Sequence, residues 1–369
     1  MRILIRVLRR DRRSERAVAC TMVLRRWASV RLGTAELHRK RMQHWVYAGA
    51  LALAVWWAYA GQSSCVLIAE ARLGRGLSQL RAVKLEAALT LALEVTGRYH
   101  VVPVLVRDSV VVVLQQRGDT PTAQAVARQL GCGAVCFALA ECFVHLLRVE
   151  LAFRWAPEFT RESRGVGYAL VRYARHDTRE LLYDPALLEA TQRALAVALG
   201  DSGLYLGQEP PLRIVPAALM AVGSIAYEEA PELPPWQLFA RKVVTSYEAV
   251  LEAIDTARHH PCYVVCDIDT RDSIYARAGF FEPENYNPPT PQELALLAQM
   301  EVQYFLAGWL RRVPEGARLR LELYRLRWSG GTVVPELVDA REASIAEDSS
   351  QVLRRTVRQL TGQLLWQSP

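Results

Sequence analysis

The stretch YHVVPVLVRDSV, beginning at Tyr99, returns as YVVCDIDTRDSI beginning at Tyr263, agreeing at Tyr, Val, Arg, Asp and Ser without a gap. A chain that writes a segment twice is set up to fold it twice, and the flanking segments keep the same order. VLIAEARL from Val66 and LMAVGSIAY from Leu219 are apolar runs of strand length. LRAVKLEAALTLALEVTGR and FARKVVTSYEAVLEAIDTAR follow, with apolar residues at helical spacing. The expected core faces are Val83, Ala87, Leu91 and Val95 in the first, and Val243, Tyr247, Val250, Leu251 and Ile254 in the second.

The repeated segment itself reads as a strand and then a short helix opened by Asp108-Ser109 or Asp272-Ser273. Thr120-Pro121 and Thr290-Pro291 each place a hydroxyl cap before a first-turn proline, which predicts another helix. AVCFALAEC and VQYFLAGWL are strand candidates. Leu147, Val149 and Leu151, like Leu319, Leu321 and Leu323, alternate with Arg and Glu, so each run has one buried and one wet face. Ser329-Gly330-Gly331-Thr332 predicts a hairpin turn. A helix closes each repeat, from Asp184 with Asp as its cap, and from Asp348. The expected fold is α/β: two tandem mixed-sheet domains of strand, helix, strand, helices, three strands and helix, at residues 66–206 and 214–366. Pro-rich 207–216 is the expected joint.

Charge is distributed unevenly. Residues 1–41 hold 13 Arg and Lys against three acids, a surplus of 10 in a chain of net charge +7, so the remaining 328 residues carry −3. A slightly acidic body lacks the electrostatic footprint of a nucleic-acid binder. The basic prefix precedes Trp45 to Ala60, an uncharged run ending in Ala58-Tyr59-Ala60. That is the pattern of a secretory signal over 42–60, and Met42 makes 1–41 readable as an over-extended gene start. A retained inner-membrane anchor is the competing reading, although the run falls short of the ~20 residues that span a bilayer. The protein is expected to be periplasmic or secreted, with membrane contact only through this segment if it is uncleaved.

Past the leader lie Cys65, Cys132, Cys136, Cys142, Cys262 and Cys266, most of them in apolar runs. Buried small hydrophobes are their first reading, and their spacing matches no zinc site.

RQLGCGAVCFALAECFVHLLRVELAFR, and again AQMEVQYFLAGWLRRVPEGARLRLELYRL, resemble the helix-to-strand segment of the amino-terminal domain of TolB and of CsgG-like and FlgO-like envelope proteins. YHVVPVLVRDSV is similar to that family's strand ending in Arg and Ser before a short helix. The resemblance spans 66–200 and 214–366. The Pro-Phe that follows the family's opening strand is absent, as Ala71-Arg72 and Ser224-Ile225-Ala226 stand in the corresponding places. The resemblance implies a mixed α/β domain used in envelope interactions, without a catalytic set.

The residues give few signs of catalysis. Arg107-Asp108-Ser109 and Arg271-Asp272-Ser273 are the polar triplet present in both repeats, expected as helix caps. Asp267-Ile268-Asp269 resembles a two-carboxylate metal element, but the first repeat has Pro103 and Leu105 there. His259-His260 and Glu228-Glu229 have no recognisable partners, and phosphate-loop, nucleophile-elbow, zinc-protease and dinucleotide signatures are missing. No cofactor or metal is called for. The aromatic, Pro-rich stretches around Trp236, Phe239, Phe280, Phe281 and Tyr286 are the candidate binding surface, or else a lid over the core. The functional expectation is a non-catalytic interaction or assembly component of the bacterial cell envelope whose partners are envelope proteins. The alternative is an envelope hydrolase or transferase with an acidic site around Asp267, Asp269 and Asp272.

Overall fold

The computed structural model describes residues 65–175, 177, 179–200, 204–206, 212–214, 216–279 and 289–366. The prefix, the leader, most of 207–216, and Phe280, Phe281 and Tyr286 lie outside the described residues.

In chain order the first repeat runs β1 (Cys65–Leu73), α1 (Ala82–Val95), β2 (His100–Val101), α2 (Val104–Gln116), α3 (Ala123–Leu130), β3 (Ala134–Phe143), β4 (Leu146–Trp155), β5 (Arg161–Leu170), a hairpin β6 (Arg172–Arg175) and β7 (Glu180–Leu182), then α4 (Tyr183–Leu199). A small ribbon follows, β8 (Leu204–Leu206) paired antiparallel with β9 (Leu212–Ile214), so part of the expected joint is strand. The second repeat runs β10 (Ala218–Glu228), α5 (Gln237–Ala240), α6 (Lys242–Ala257), β11 (Tyr263–Val265), α7 (Ile268–Ala276), α8 (Pro291–Gln299), β12 (Tyr304–Val313), β13 (Gly316–Ser329), β14 (Thr332–Ile345) and α9 (Ser350–Trp366).

Two mixed five-stranded sheets result, with the same permutation of strands: β2-β1-β3-β4-β5 and β11-β10-β12-β13-β14. In each, the opening strand pairs in parallel with the strand after the helices, and two antiparallel strands follow. Contact density divides the chain into two compact units. One is 102–133 with Cys65, holding α2 and α3; the other holds both sheets and the remaining helices. No helix among the described residues is long and apolar enough to cross a membrane.

The alternation on β4 and β13 is as expected: Leu147, Val149, Leu151, Leu319, Leu321 and Leu323 are all buried. Beneath them α1 and α4 cover one sheet, and α6 and α9 the other. A third apolar cluster lies on the opposite face of the second sheet. There Leu219 and Phe305 meet Ile274, Tyr275 and Leu297 of α7 and α8, together with Leu146 and Tyr168 of the first repeat.

Several local expectations shift. Val83, Leu91, Val243, Tyr247 and Leu251 point to solvent, and the buried faces are Leu85, Leu89, Ala92 and Leu93 on α1, and Thr245, Ser246, Ala249, Val250, Ala253, Ile254 and Ala257 on α6. Small residues win on α6 because they allow close approach, close enough for Ser246 Oγ to donate to the Ile225 carbonyl at 3.3 Å. The cap of α3 is Thr122, whose side chain accepts from Ala125 N, rather than Thr120. Thr290 does cap α8, in a reciprocal box with Glu293 and with Pro291 in the first turn. Asp184 lies one residue inside α4 and pairs with Lys84 at 2.8 Å instead of capping.

Candidate functional site

The turn between β3 and β4 carries Val144 at φ 54° and presents His145, whose side chain is buried. Its Nδ1 lies 2.8 Å from Asp267 Oδ2, a residue 122 positions away in the second repeat, and its Nε2 lies 3.0 Å from the Tyr173 hydroxyl. Asp267 also ends the loop before α7, where its other oxygen accepts the Thr270 N–H at 2.8 Å as the helix N-cap. Partial burial opposes ionisation of Asp267, but the hydrogen bonds from Thr270 and His145 outweigh it and hold the carboxyl below its ordinary value. An ionised Asp267 accepts from Nδ1–H, which by the hydrogen-bond pattern leaves Nε2 to accept from Tyr173.

This Tyr173–His145–Asp267 line borders a cleft of about 580 Å³ that also receives Arg172, Arg193 and Arg258. A hydroxyl on a His–carboxylate pair is the geometry of a general-base relay. The His145–Asp267 bond of this line also ties the two repeats together by a part-buried polar contact. Because Asp267 has a depressed folded pKa, its stabilisation is complete above its unfolded value of about 4 and is lost as pH falls through the lower folded value. We therefore expect Asp267→Ala to cost about 2–3 kcal/mol at pH 7 in urea titrations, with the difference from wild type shrinking below about pH 4. A cycle with His145→Ala should give a coupling of about 1 kcal/mol or more, and a coupling near zero would dissolve the pairing.

A second polar contact joins the repeats. Arg148 reaches Glu301 through Nε at 2.8 Å and Nη2 at 3.1 Å, and the Tyr168 hydroxyl donates to the same carboxylate. Partial burial again works against ionisation, and Arg148 and Tyr168 overcome it, holding Glu301 below the usual carboxylate range. Beside this contact runs a groove of about 830 Å³ bordered by Tyr168, Glu301, Tyr304 and Trp328. Nearby, the Arg277 guanidinium stacks 3.8 Å over the Phe143 ring, again across the repeats.

Arg107-Asp108-Ser109 and Arg271-Asp272-Ser273 lie one turn inside α2 and α7, not at their caps, which are Pro103 and Asp267. In both repeats the Arg bonds the next Asp: Arg107 Nε to Asp108 at 3.0 Å, and Arg271 Nε and Nη2 to Asp272 at 2.8 and 2.7 Å. Ser109 Oγ donates back to the Leu105 carbonyl. Arg271 is 1% exposed and also donates to the Val222 carbonyl at 2.8 Å. Burial raises the pKa of Asp272 against the pull of Arg271.

Asp269 is exposed in the first turn of α7. Among the described residues, no group of three His, Cys, Asp or Glu side chains is arranged to hold a metal ion. Trp236 and Phe239 are half-buried against the second core, Trp236 under Arg312 at 4.2 Å and Phe239 edge-on to Tyr227 at 5.2 Å. Glu228 pairs with Arg311 and Glu229 with Lys242, apart from the cleft, whereas His259 lies on the cleft wall. Sequence reasoning passed over His145, Tyr173 and Glu301. His145 lies in the apolar run CFVHLL, and its partner Asp267 is 122 positions away, where no local pattern marks it.

No family profile matches this chain. No curated protein matches it either. Solved structures similar to parts of it include the LpoB C-terminal domain from Escherichia coli, at 19% identity over 28% of this chain and 82% of that one, with a TM-score of 0.23. The PelC dodecamer from Paraburkholderia phytofirmans is 15% identical over 40% and 85%, with a TM-score of 0.21. The hypothetical protein CT253 from Chlamydia trachomatis is 13% identical over 41% and 95%, with a TM-score of 0.24.

Proposed function

We propose that the chain is an exported interaction or assembly component of the bacterial cell envelope that performs no catalysis itself. In this reading it is built from two tandem domains, 66–206 and 214–366, each like the TolB amino-terminal domain. The observation that carries the reading is the repeated strand order, with the polar groups between the repeats engaged in joining them. The signal-like segment before the two domains supplies the route to the envelope, and partners are envelope proteins. Trp236 and Phe239, half-buried against the second core, and Phe280, Phe281 and Tyr286, which lie outside the described residues, are the residues proposed for docking. The test is affinity capture from crosslinked envelopes through a C-terminal tag, with mass spectrometry of the partners and of the bait's own N-terminus. A reproducible set of envelope proteins, with a bait beginning near Gly61, supports the reading; cytosolic partners and an intact Met1 overturn it.

The Tyr173–His145–Asp267 line at the cleft favours one second reading, a hydrolase or transferase using His145 as base and Asp267 as its orienting group. On that reading Asp267→Asn, which keeps the helix cap, abolishes turnover of ester or phosphoester probes without loss of fold.

A further inference from the structure

The first residue of β1 and the residue two places before β3 are both cysteines. Cys65 and Cys132 are buried, at 1% and 4% exposure, and their sulfurs lie 2.8 Å apart, inside ordinary sulfur van der Waals contact. The backbone clamps the pair at the same point, since Gly133 N–H donates to the Cys65 carbonyl at 2.9 Å. The second repeat shows what this position does by default. There Gln303 N–H donates to the Leu219 carbonyl, also at 2.9 Å, and the residues in the two cysteine places are Leu219 and Val302, buried in one apolar cluster. The position is thus a packing contact between an opening strand and the end of a helix, filled by apolar side chains in one repeat and by two facing thiols in the other.

We propose that Cys65 and Cys132 form a disulfide that locks the start of the first sheet in the exported protein, a proposal that rests on the export reading for its oxidising setting. Either sulfur can donate to the other across this contact, so the first thiolate formed is held by its partner's thiol; Cys65 is taken as the attacking sulfur, and the exchange balances equally with the roles reversed. The Cys65 thiolate attacks an external disulfide and expels one of its thiolates to give a mixed disulfide. Cys132, on losing its proton, then attacks the Cys65 sulfur and releases the second thiol. The two cysteines lose two protons and two electrons together, and the donor disulfide becomes a dithiol. The remaining described cysteines are not paired with each other: Cys136, Cys142 and Cys266 are buried singly, and Cys262 is exposed.

The test has two arms. Purified full-length protein is equilibrated with reduced and oxidised glutathione, alkylated and mapped by mass spectrometry. The expected product is one Cys65–Cys132 linkage under mildly oxidising conditions, with the melting midpoint falling by roughly 5–10 °C on reduction. Failure to link in this arm overturns the proposal whatever the compartment. C65L/C132V, which installs the residues of the second repeat, keeps a cooperative melt and loses the redox shift; a retained shift would assign the effect to another thiol and overturn the proposal. In the second arm the same mapping is applied to protein trapped by acid from intact cells. A linked pair supports lock and export together. Thiols left reduced in cells but readily linked in glutathione would leave the pair's geometry standing and overturn both the lock in the native protein and the oxidising compartment.

Discussion

Gly167→Val is expected to be among the most disruptive single substitutions in the first repeat, costing about 3 kcal/mol or more in urea titrations. A Cβ at Gly167 would come 2.1 Å from the Ala190 carbonyl oxygen and 2.3 Å from Ala194 N, and one at Gly165 would come 2.1 Å from the Ala194 carbonyl oxygen. The two glycines of β5 sit under the Ala190, Ala194 and Ala198 stripe of α4, so helix backbone rests almost directly on strand backbone. A clash with main chain cannot be relieved by turning a side chain. The helix must lift, and Leu187 and Leu195, both fully buried, lift with it. Gly362 is the contrasting case: it lies in α9 with nothing near its missing Cβ, and Gly362→Ala should stabilise by about 0.5–1 kcal/mol. Equal effects of the two substitutions would contradict the packing described.

Arg271→Ala should cost about 2–4 kcal/mol, and Arg107→Ala, at the matching place in the first repeat, under about 1 kcal/mol. Arg271 is the largest fully buried side chain among the described residues, and removing it strands the Val222 carbonyl, uncovers Asp272 and leaves a void beside Tyr275. Asp272 is 32% exposed, so water compensates part of the loss. Arg107 has a side chain 20% exposed beside an Asp108 that is 59% exposed, where screening reduces the pair's value. Urea midpoints of the two variants measure the contrast. A cost for Arg107→Ala matching that of Arg271→Ala would mean that the motif serves the same buried role in both repeats.

The contrast shows how far a shared motif can diverge in use. Arg-Asp-Ser is written identically twice and forms the same local Arg–Asp bond twice, because the two residues are adjacent in the chain and stay within reach wherever the helix is placed. The difference lies in what each Arg reaches: Arg271 donates to the Val222 carbonyl of β10 and lies against Tyr275, whereas the side chain of Arg107 stays 20% exposed beside Asp108. Asp267 illustrates the same point: as one half of D-x-D it suggested a metal, but it caps α7 and holds His145. The third polar group, Glu301, is matched by Gly131 in the first repeat, so no repeat-to-repeat comparison could have marked it.

The order of strands and helices, the alternating faces of β4 and β13, the Ser329–Thr332 hairpin and the Thr290 cap were all legible in the sequence. Each depends on residues within a few positions of one another, where period, turn chemistry and capping act directly. Helix orientation was not legible. α1 carries apolar residues on two stripes, Val83–Ala87–Leu91 and Leu85–Leu89–Ala92, and periodicity alone does not choose between them. Only the tertiary structure decided which stripe faces the sheet, which triplet became buried, and that His145, Tyr173 and Asp267 meet. Those outcomes depend on contacts between segments far apart in the chain, whose energies come from close packing and desolvation that no local pattern encodes.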